Sequence, residues 1–241
     1  EELSFYARAA SGYRPAFANS QSFFDPEGKV SDFVEADTLW SYEIGAKGSF
    51  AEIFNYDLAL WYLTWDDFQA TVRLPNLGSG ASNVVGGITG KGIEGSLTAS
   101  PLEGLSIITS FSYTESTLND DEPSIDGLAG QQLPNVPEWQ FSSRINYDFT
   151  LGSDTDAMIG LGMRYEGSSR SAFTDGGAFI PGVSDPLAGS YDSNLNMETE
   201  SYILVDLNAG LTWDQISLNV FVTNLLNEDT ITGAGGAFFS L

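Results

Sequence analysis

The chain has 241 residues, with 33 Asp and Glu against nine Lys and Arg, no Cys and no His, for a net charge of −24. Without thiols or imidazoles it has no disulfide, no Cys or His metal site and no His general base. So acidic a composition excludes a nucleic-acid partner, because neutralising phosphates needs a basic face.

Aromatic residues make up 13% of the chain and glycines number 26, a mixture that suits many strands and turns. No apolar run reaches about 18 residues, which excludes a transmembrane helix but not barrel strands, because those alternate. The start has no charged stretch followed by an apolar one, so no signal peptide is read there. It opens instead inside a strand pattern, and the chain is expected to be a piece of a longer protein.

Nine segments repeat with a period of two, the pattern of strands with one apolar and one wet face. In the first, Leu3, Phe5, Ala7 and Ala9 lie opposite Ser4, Tyr6 and Arg8. The second sets Trp40, Tyr42, Ile44, Ala46 and Phe50 against Ser41, Glu43, Lys47 and Ser49. The third sets Phe54, Tyr56, Leu58, Leu60 and Tyr62 against Asn55, Asp57 and Ala59. The fourth has Ile93, Leu97 and Ala99 opposite Glu94, Ser96 and Thr98, and the fifth Leu105, Ile107, Phe111 and Tyr113 opposite Ser106, Ser110 and Ser112. The sixth is the cleanest, with Trp139, Phe141, Ile145, Tyr147 and Phe149 facing away from Gln140, Ser142, Arg144, Asn146 and Asp148. In the seventh, Ala157, Ile159, Leu161, Met163 and Tyr165 oppose Gly160, Gly162, Arg164 and Glu166. The eighth and ninth form a hairpin about Asp214-Gln215, with Ile203 to Trp213 and Ile216 to Val222 as its apolar face.

The connections alternate short and long. Short ones lie around Ala51-Glu52, at 100–104, at 150–156 and at Asp214-Gln215; long ones cover about 14–38, 68–90, 116–137 and 167–201. Loops beyond about 12–15 residues are uncommon in compact soluble domains. Strict alternation of short turns and long loops is the arrangement of outer-membrane barrels. Large rings gather toward the ends of the apolar faces, as in the girdles that sit at headgroup depth: Trp40 and Phe50, Phe54 and Tyr62, Trp139, Tyr147, Phe149, Tyr165 and Trp213. The competing reading, a soluble β-sandwich, has shorter strands and turn signals about every 8–12 residues. The expected fold is therefore all-β: an antiparallel up-and-down transmembrane β-barrel, incomplete in this chain.

Specific motifs carry a resemblance. Gly12-Tyr13-Arg14-Pro15 ends the first strand, and Trp40-Ser41-Tyr42-Glu43-Ile44-Gly45-Ala46-Lys47 holds a Tyr-Glu-x-Gly-x-Lys pattern. Trp65-Asp66-Asp67-Phe68-Gln69, Gly92-Ile93-Glu94, Leu133-Pro134-Asn135-Val136-Pro137 and Asn224-Leu225-Leu226-Asn227 follow in order. In these motifs and their spacing the chain resembles the C-terminal part of the barrel of TonB-dependent outer-membrane receptors, over essentially residues 1–241. The resemblance implies about nine strands of a 22-stranded barrel, numbers 13 to 21, in the bacterial outer membrane. The plug domain, the TonB box and the final strand are expected to lie outside this sequence.

The resemblance also implies active import of a scarce nutrient, most often a ferric siderophore, with cobalamin, haem or oligosaccharide as rarer cargo. Implied partners are outer-membrane lipid, the plug of the same protein, TonB acting through it, and the cargo; no cofactor is implied. Candidate cargo contacts lie in the long loops: Tyr13, Arg14 and Phe17 in one, and Arg170, Phe173, Phe179 and Tyr191 in another. Rings and guanidinium groups there suit a catecholate or anionic complex.

The acidic loops oppose anionic cargo. Asp25, Glu27, Asp32, Glu35 and Asp37 crowd one, and Asp120, Asp121, Glu122 and Asp126 another, without the Asp-x-Asp-x-Asp-Gly pattern of a dedicated calcium loop. Lumen-side charges (Arg8, Glu43, Lys47, Glu94, Arg144, Arg164, Glu166 and Asp206) are expected to pair across strands or hold the plug. Catalysis has no support: Asp66 and Asp67 are adjacent and point apart, and no phosphate loop or nucleophile–base set appears. The alternative function class is a passive porin.

Overall fold

A computed structural model describes residues 2–19, 30–74, 78–125, 127–171, 173 and 198–230; Phe179 and Tyr191 lie outside them. In chain order the strands are β1 (Glu2–Arg14), β2 (Phe17–Ala18), β3 (Phe33–Val34), β4 (Asp37–Phe50), β5 (Phe54–Asp66), β6 (Phe68–Leu74) and β7 (Gly78–Val84). There follow β8 (Ile88–Ala99), β9 (Leu105–Leu118), β10 (Trp139–Leu151), β11 (Thr155–Glu166), β12 (Ser169–Arg170), β13 (Glu198–Thr199), β14 (Tyr202–Trp213) and β15 (Ile216–Val222).

Nine of these form one sheet in the order β1-β4-β5-β8-β9-β10-β11-β14-β15, and each pair is antiparallel. This is the up-and-down meander that the alternation predicts. Register fixes the faces. Phe5, Ala46, Leu58, Gly95, Phe111, Phe141, Tyr165 and Ile203 lie on one continuous rung of the apolar face. That face is bare, with Phe5 75%, Ile44 58% and Ile159 51% exposed. An apolar surface of this extent belongs against lipid or another protein surface, not water. Its rings mark two borders: between Trp40 and Phe50 the chain runs about 34 Å, or about 26 Å along the membrane normal at a tilt of about 40°, matching the ~25 Å apolar band of barrels.

The short turns are tight. Ala51 and Glu52 both take positive φ (55° and 56°), and the Ile53 N–H donates to the Phe50 carbonyl at 3.1 Å, the mirror-image turn that matches strand twist. On the other face the ring of Tyr6 lies flat over Gly45, where an added Cβ would stand 2.3 Å from it. Glycine here makes room for the ring and pins the register.

The strands run further into the long-loop end than the alternation indicates, and the long connections carry structure of their own. Among the described residues they hold three two-stranded ribbons, β2–β3, β6–β7 and β12–β13, and a 3-10 turn, Pro123–Ile125. The cause is a second, inward-facing apolar cluster. Phe68, Ala70, Val84, Ile88, Leu118 and Phe173 are buried together, with Trp65, Ile125 and Leu133 packed against them. Along β5 both faces become apolar there, so the period of two disappears from the sequence while the strand continues.

Candidate functional site

The wet face carries a groove of about 800 Å³, lined among others by Tyr6, Arg8, Glu43, Lys47, Asp57, Glu94 and Arg164. Alternation places these side chains: Tyr6 and Arg8 on β1, and Glu43 and Lys47 on β4, are separated by even numbers of residues and so share a face. Register sets Arg8 opposite Glu43 and Lys47 opposite Asp57. Lys47 bridges to Asp57 across β4 and β5 at 2.8 Å and sits 5.2 Å from the centre of the Tyr6 ring. Further along the groove, the Ser110 and Ser142 hydroxyls share a hydrogen bond of 2.8 Å, and the Tyr202 hydroxyl donates to Glu166 at 3.0 Å. Arg8, Arg144 and Arg164 make no ion pair among the described residues. The cross-strand pairing expected of the lumen charges is thus seen for Lys47. Arg8, opposite Glu43 in register, does not close a bridge.

At the long-loop end of the same face, beside the apolar cluster, lies a polar lattice. Asp37, 1% exposed, accepts from the Arg14 backbone N–H at 3.0 Å, from Arg14 Nε at 2.7 Å, from Arg14 Nη2, and from the Gln69 N–H at 3.1 Å. The guanidinium also donates to the Gln69 carbonyl at 3.0 Å and lies 4.8 Å from the centre of the Trp65 ring and 5.2 Å from that of Phe68. Burial pushes the Asp37 carboxyl up, but the hydrogen bonds from Arg14 and the Gln69 N–H outweigh it and hold the group below the usual carboxylate range.

The candidate cargo contacts take different places. Tyr13, 76% exposed, is opposite Thr38 on the apolar face, not over the groove. Arg14 is in the Asp37 lattice. Phe17, 43% exposed, belongs to the β2–β3 ribbon, and Arg170 lies 3.8 Å from Glu198 across β12–β13. Phe173 is buried in the apolar cluster. Asp37, Gln69 and Asn83 bind the loops together; Gln69 ends one of the family motifs and Asp37 belongs to an acidic loop, but nothing in the sequence pairs them with one another or with Arg14.

The acidic loop residues serve backbone groups. Glu122 accepts from the Val85 N–H at 3.1 Å and Asp121 from the Ala129 N–H at 2.9 Å. No group of three or more metal-ligating side chains converges among the described residues.

Residues 1–225 match the family model described as TonB dependent receptor-like, beta-barrel. Among solved structures the chain is similar to the ferric yersiniabactin uptake receptor FyuA from Yersinia pestis, at 17% identity and a TM-score of 0.65 over 98% of this chain and 32% of that one. The siderophore receptor PiuA from Acinetobacter baumannii aligns at 17% identity and 0.68, over 98% and 31%. The pyoverdine outer membrane receptor FpvA from Pseudomonas aeruginosa aligns at 18% and 0.63, over 95% and 30%. The chain spans about a third of the length of these receptors. It belongs to the TonB-dependent receptor-like β-barrel family, and its nine-stranded sheet is a stretch of barrel wall in the bacterial outer membrane.

Proposed function

We propose that this chain is the C-terminal barrel wall of an outer-membrane receptor that imports a ferric siderophore, with energy delivered by TonB through a plug domain of the same protein. The observation that carries the reading is the asymmetry of the wall. Tight turns close one end and the long connections gather at the other, three of them carrying two-stranded ribbons, while the wall's inner face bears a charged groove. A passive pore needs no such built mouth, whereas a receptor needs a surface on which cargo docks before passing the wall. The siderophore assignment draws support from the neighbours FyuA, PiuA and FpvA. Phe17, Phe179 and Tyr191, with Arg170, are the proposed cargo-facing set in the loops, and the groove arginines Arg8, Arg144 and Arg164 are proposed to meet the plug. The non-enzyme reading rests on the family, whose members are transporters; in the groove Asp57 bridges to Lys47 and Glu166 accepts from Tyr202.

The test is uptake of radiolabelled iron, presented as defined ferric siderophores, by cells whose only such receptor is the full-length protein. Uptake that disappears when TonB is deleted supports the reading. TonB-independent passage of small sugars in vesicle swelling identifies a porin. TonB-dependent uptake of haem or cobalamin, but of no siderophore, keeps the mechanism and replaces the cargo.

A further inference from the structure

The Arg14–Asp37 pair does more than close the hairpin between β1 and β4. Four donors meet the two oxygens of Asp37: the Arg14 backbone N–H on Oδ1, and Arg14 Nε, Arg14 Nη2 and the Gln69 N–H together on Oδ2. Oδ2 is thereby saturated, and the residue is 1% exposed. The guanidinium is held through Nε and Nη2, between Asp37, the Gln69 carbonyl and the rings of Trp65 and Phe68. A lysine has neither the fork nor the stacking plane.

Gln69 sits at the start of β6 and continues the lattice. Its Nε2 donates to the Pro15 carbonyl at 3.1 Å and to the Glu35 carbonyl at 2.8 Å, which ties it to both sides of the first long connection. Asn83, its partner across the β6–β7 ribbon, closes the pattern from the other strand. The Asn83 side chain accepts from the Glu35 N–H at 2.8 Å and donates to the Glu35 and Asp67 carbonyls at 3.1 and 2.7 Å. Asn19 adds a bond to the Ala81 carbonyl at 2.7 Å. Two connections that are separate in sequence therefore share one hydrogen-bond network. Its centre is an ion pair at the end of the wall, with the carboxylate buried and the guanidinium half-buried.

We propose that Arg14 is a positioning residue. With Asp37 and Gln69 it locks the β2–β3 and β6–β7 ribbons to the barrel wall and to each other, so that the first two long loops behave as one rigid unit. Its guanidinium is taken up by this lock and is not a cargo contact. The lock stands on contacts within the chain and does not depend on the identity of the cargo.

Hydrogen exchange on the full-length receptor in outer-membrane vesicles tests this directly, with barrel assembly checked by heat-modifiable gel migration. In Arg14→Ala the amides of β3, β6 and β7 and that of Glu35 are expected to exchange together, roughly tenfold faster or more. Residues 119–137, held through Glu122 and Gln132, and the strands β10 and β11 should stay within about twofold of the unmodified receptor on the same free-energy scale. Release of one ribbon without the other, no release, or loosening that spreads through the whole sheet would each overturn the proposal. Arg14→Lys keeps the charge and loses the fork, so it should fall between; full protection in that variant would refute the role given to the guanidinium. If Arg14→Ala fails to assemble, Gln69→Ala removes the Nε2 bonds to the Pro15 and Glu35 carbonyls and keeps the backbone bonds to Asp37 and Arg14. It must then release β3 and the Glu35 amide while β6 stays protected; unchanged exchange at β3 would overturn the proposal.

Discussion

Leu161→Arg tests the assignment of faces most directly. Leu161 is on a rung with Ile145, Leu207 and Val222 on the apolar face, and it is 37% exposed with no lipid around it. It stands six residues into β11 from Thr155, about 20 Å along the strand, or about 16 Å along the membrane normal at a tilt of about 40°. That depth is near the middle of the hydrocarbon, where arginine on the lipid side of a barrel costs about 2–4 kcal/mol. Ser110→Arg is the matched control: Ser110 lines the groove, so the new charge stays in water and should cost under about 1 kcal/mol. Reversible denaturant titration of the full-length receptor in lipid vesicles reads both. A near-zero loss at Leu161, or equal losses at the two positions, would mean that the apolar face does not meet lipid and that the wall has been read inside out.

Three further outcomes follow from particular contacts. Gly45→Ala places a Cβ 2.3 Å from the Tyr6 ring and should destabilise the sheet by about 1–3 kcal/mol in the same titration, as overpacking does. Gly12→Ala meets nothing within 4 Å and should lower stability far less. Glu52→Gly relieves a non-glycine residue at φ 56° and should stabilise the β4–β5 turn by roughly 0.5–1 kcal/mol, the left-handed penalty less the entropy of glycine. The lowered Asp37 carboxyl makes the loop lock acid-sensitive. Its contribution is complete above the unfolded value of about 3.9 and falls away as pH drops through the lower folded value. Ribbon protection, corrected for intrinsic exchange, should therefore hold at pH 5 and decline below about pH 4, while Asp37→Asn should lack protection at both.

The nine wall strands were legible because each has one face against lipid and one against water, and that difference is written as alternation. Phe141, Ile145, Tyr147 and Phe149 against Gln140, Ser142, Arg144 and Asn146 can be read in one way only. The signal fails where the environment on the two faces becomes alike. Trp61, Leu63 and Trp65 share the inward face, Trp65 packing on the apolar cluster, while Tyr62 remains on the outer rung with Tyr42 and Lys91, and the strand's true end at Asp66 is invisible to a period-two test. The ribbons are hidden for a related reason. β2, β3, β12 and β13 are two residues each, too short for any periodicity, and β6–β7 joins a strand that buries Phe68 and Ala70 to one rich in Gly and Ser.

The loop residues show the same limit more sharply. Arg14 and Phe173 are the residue types that bind an aromatic anion, and both lie in long connections of a receptor barrel, so composition marks them as cargo contacts. Whether such a side chain is free to bind depends on what else it touches, and those partners are distant in sequence. Arg14 is 23 residues from Asp37 and 55 from Gln69. A guanidinium held between a buried carboxylate and two rings has few donors left to offer. The same chemistry that suits Arg14 to a ligand suits it to a buried carboxylate of its own chain. Phe17 has no such inward partner and keeps 43% of its surface exposed, which makes it the better test of cargo contact: Phe17→Ala should weaken binding without releasing either ribbon, whereas Arg14→Ala should release both.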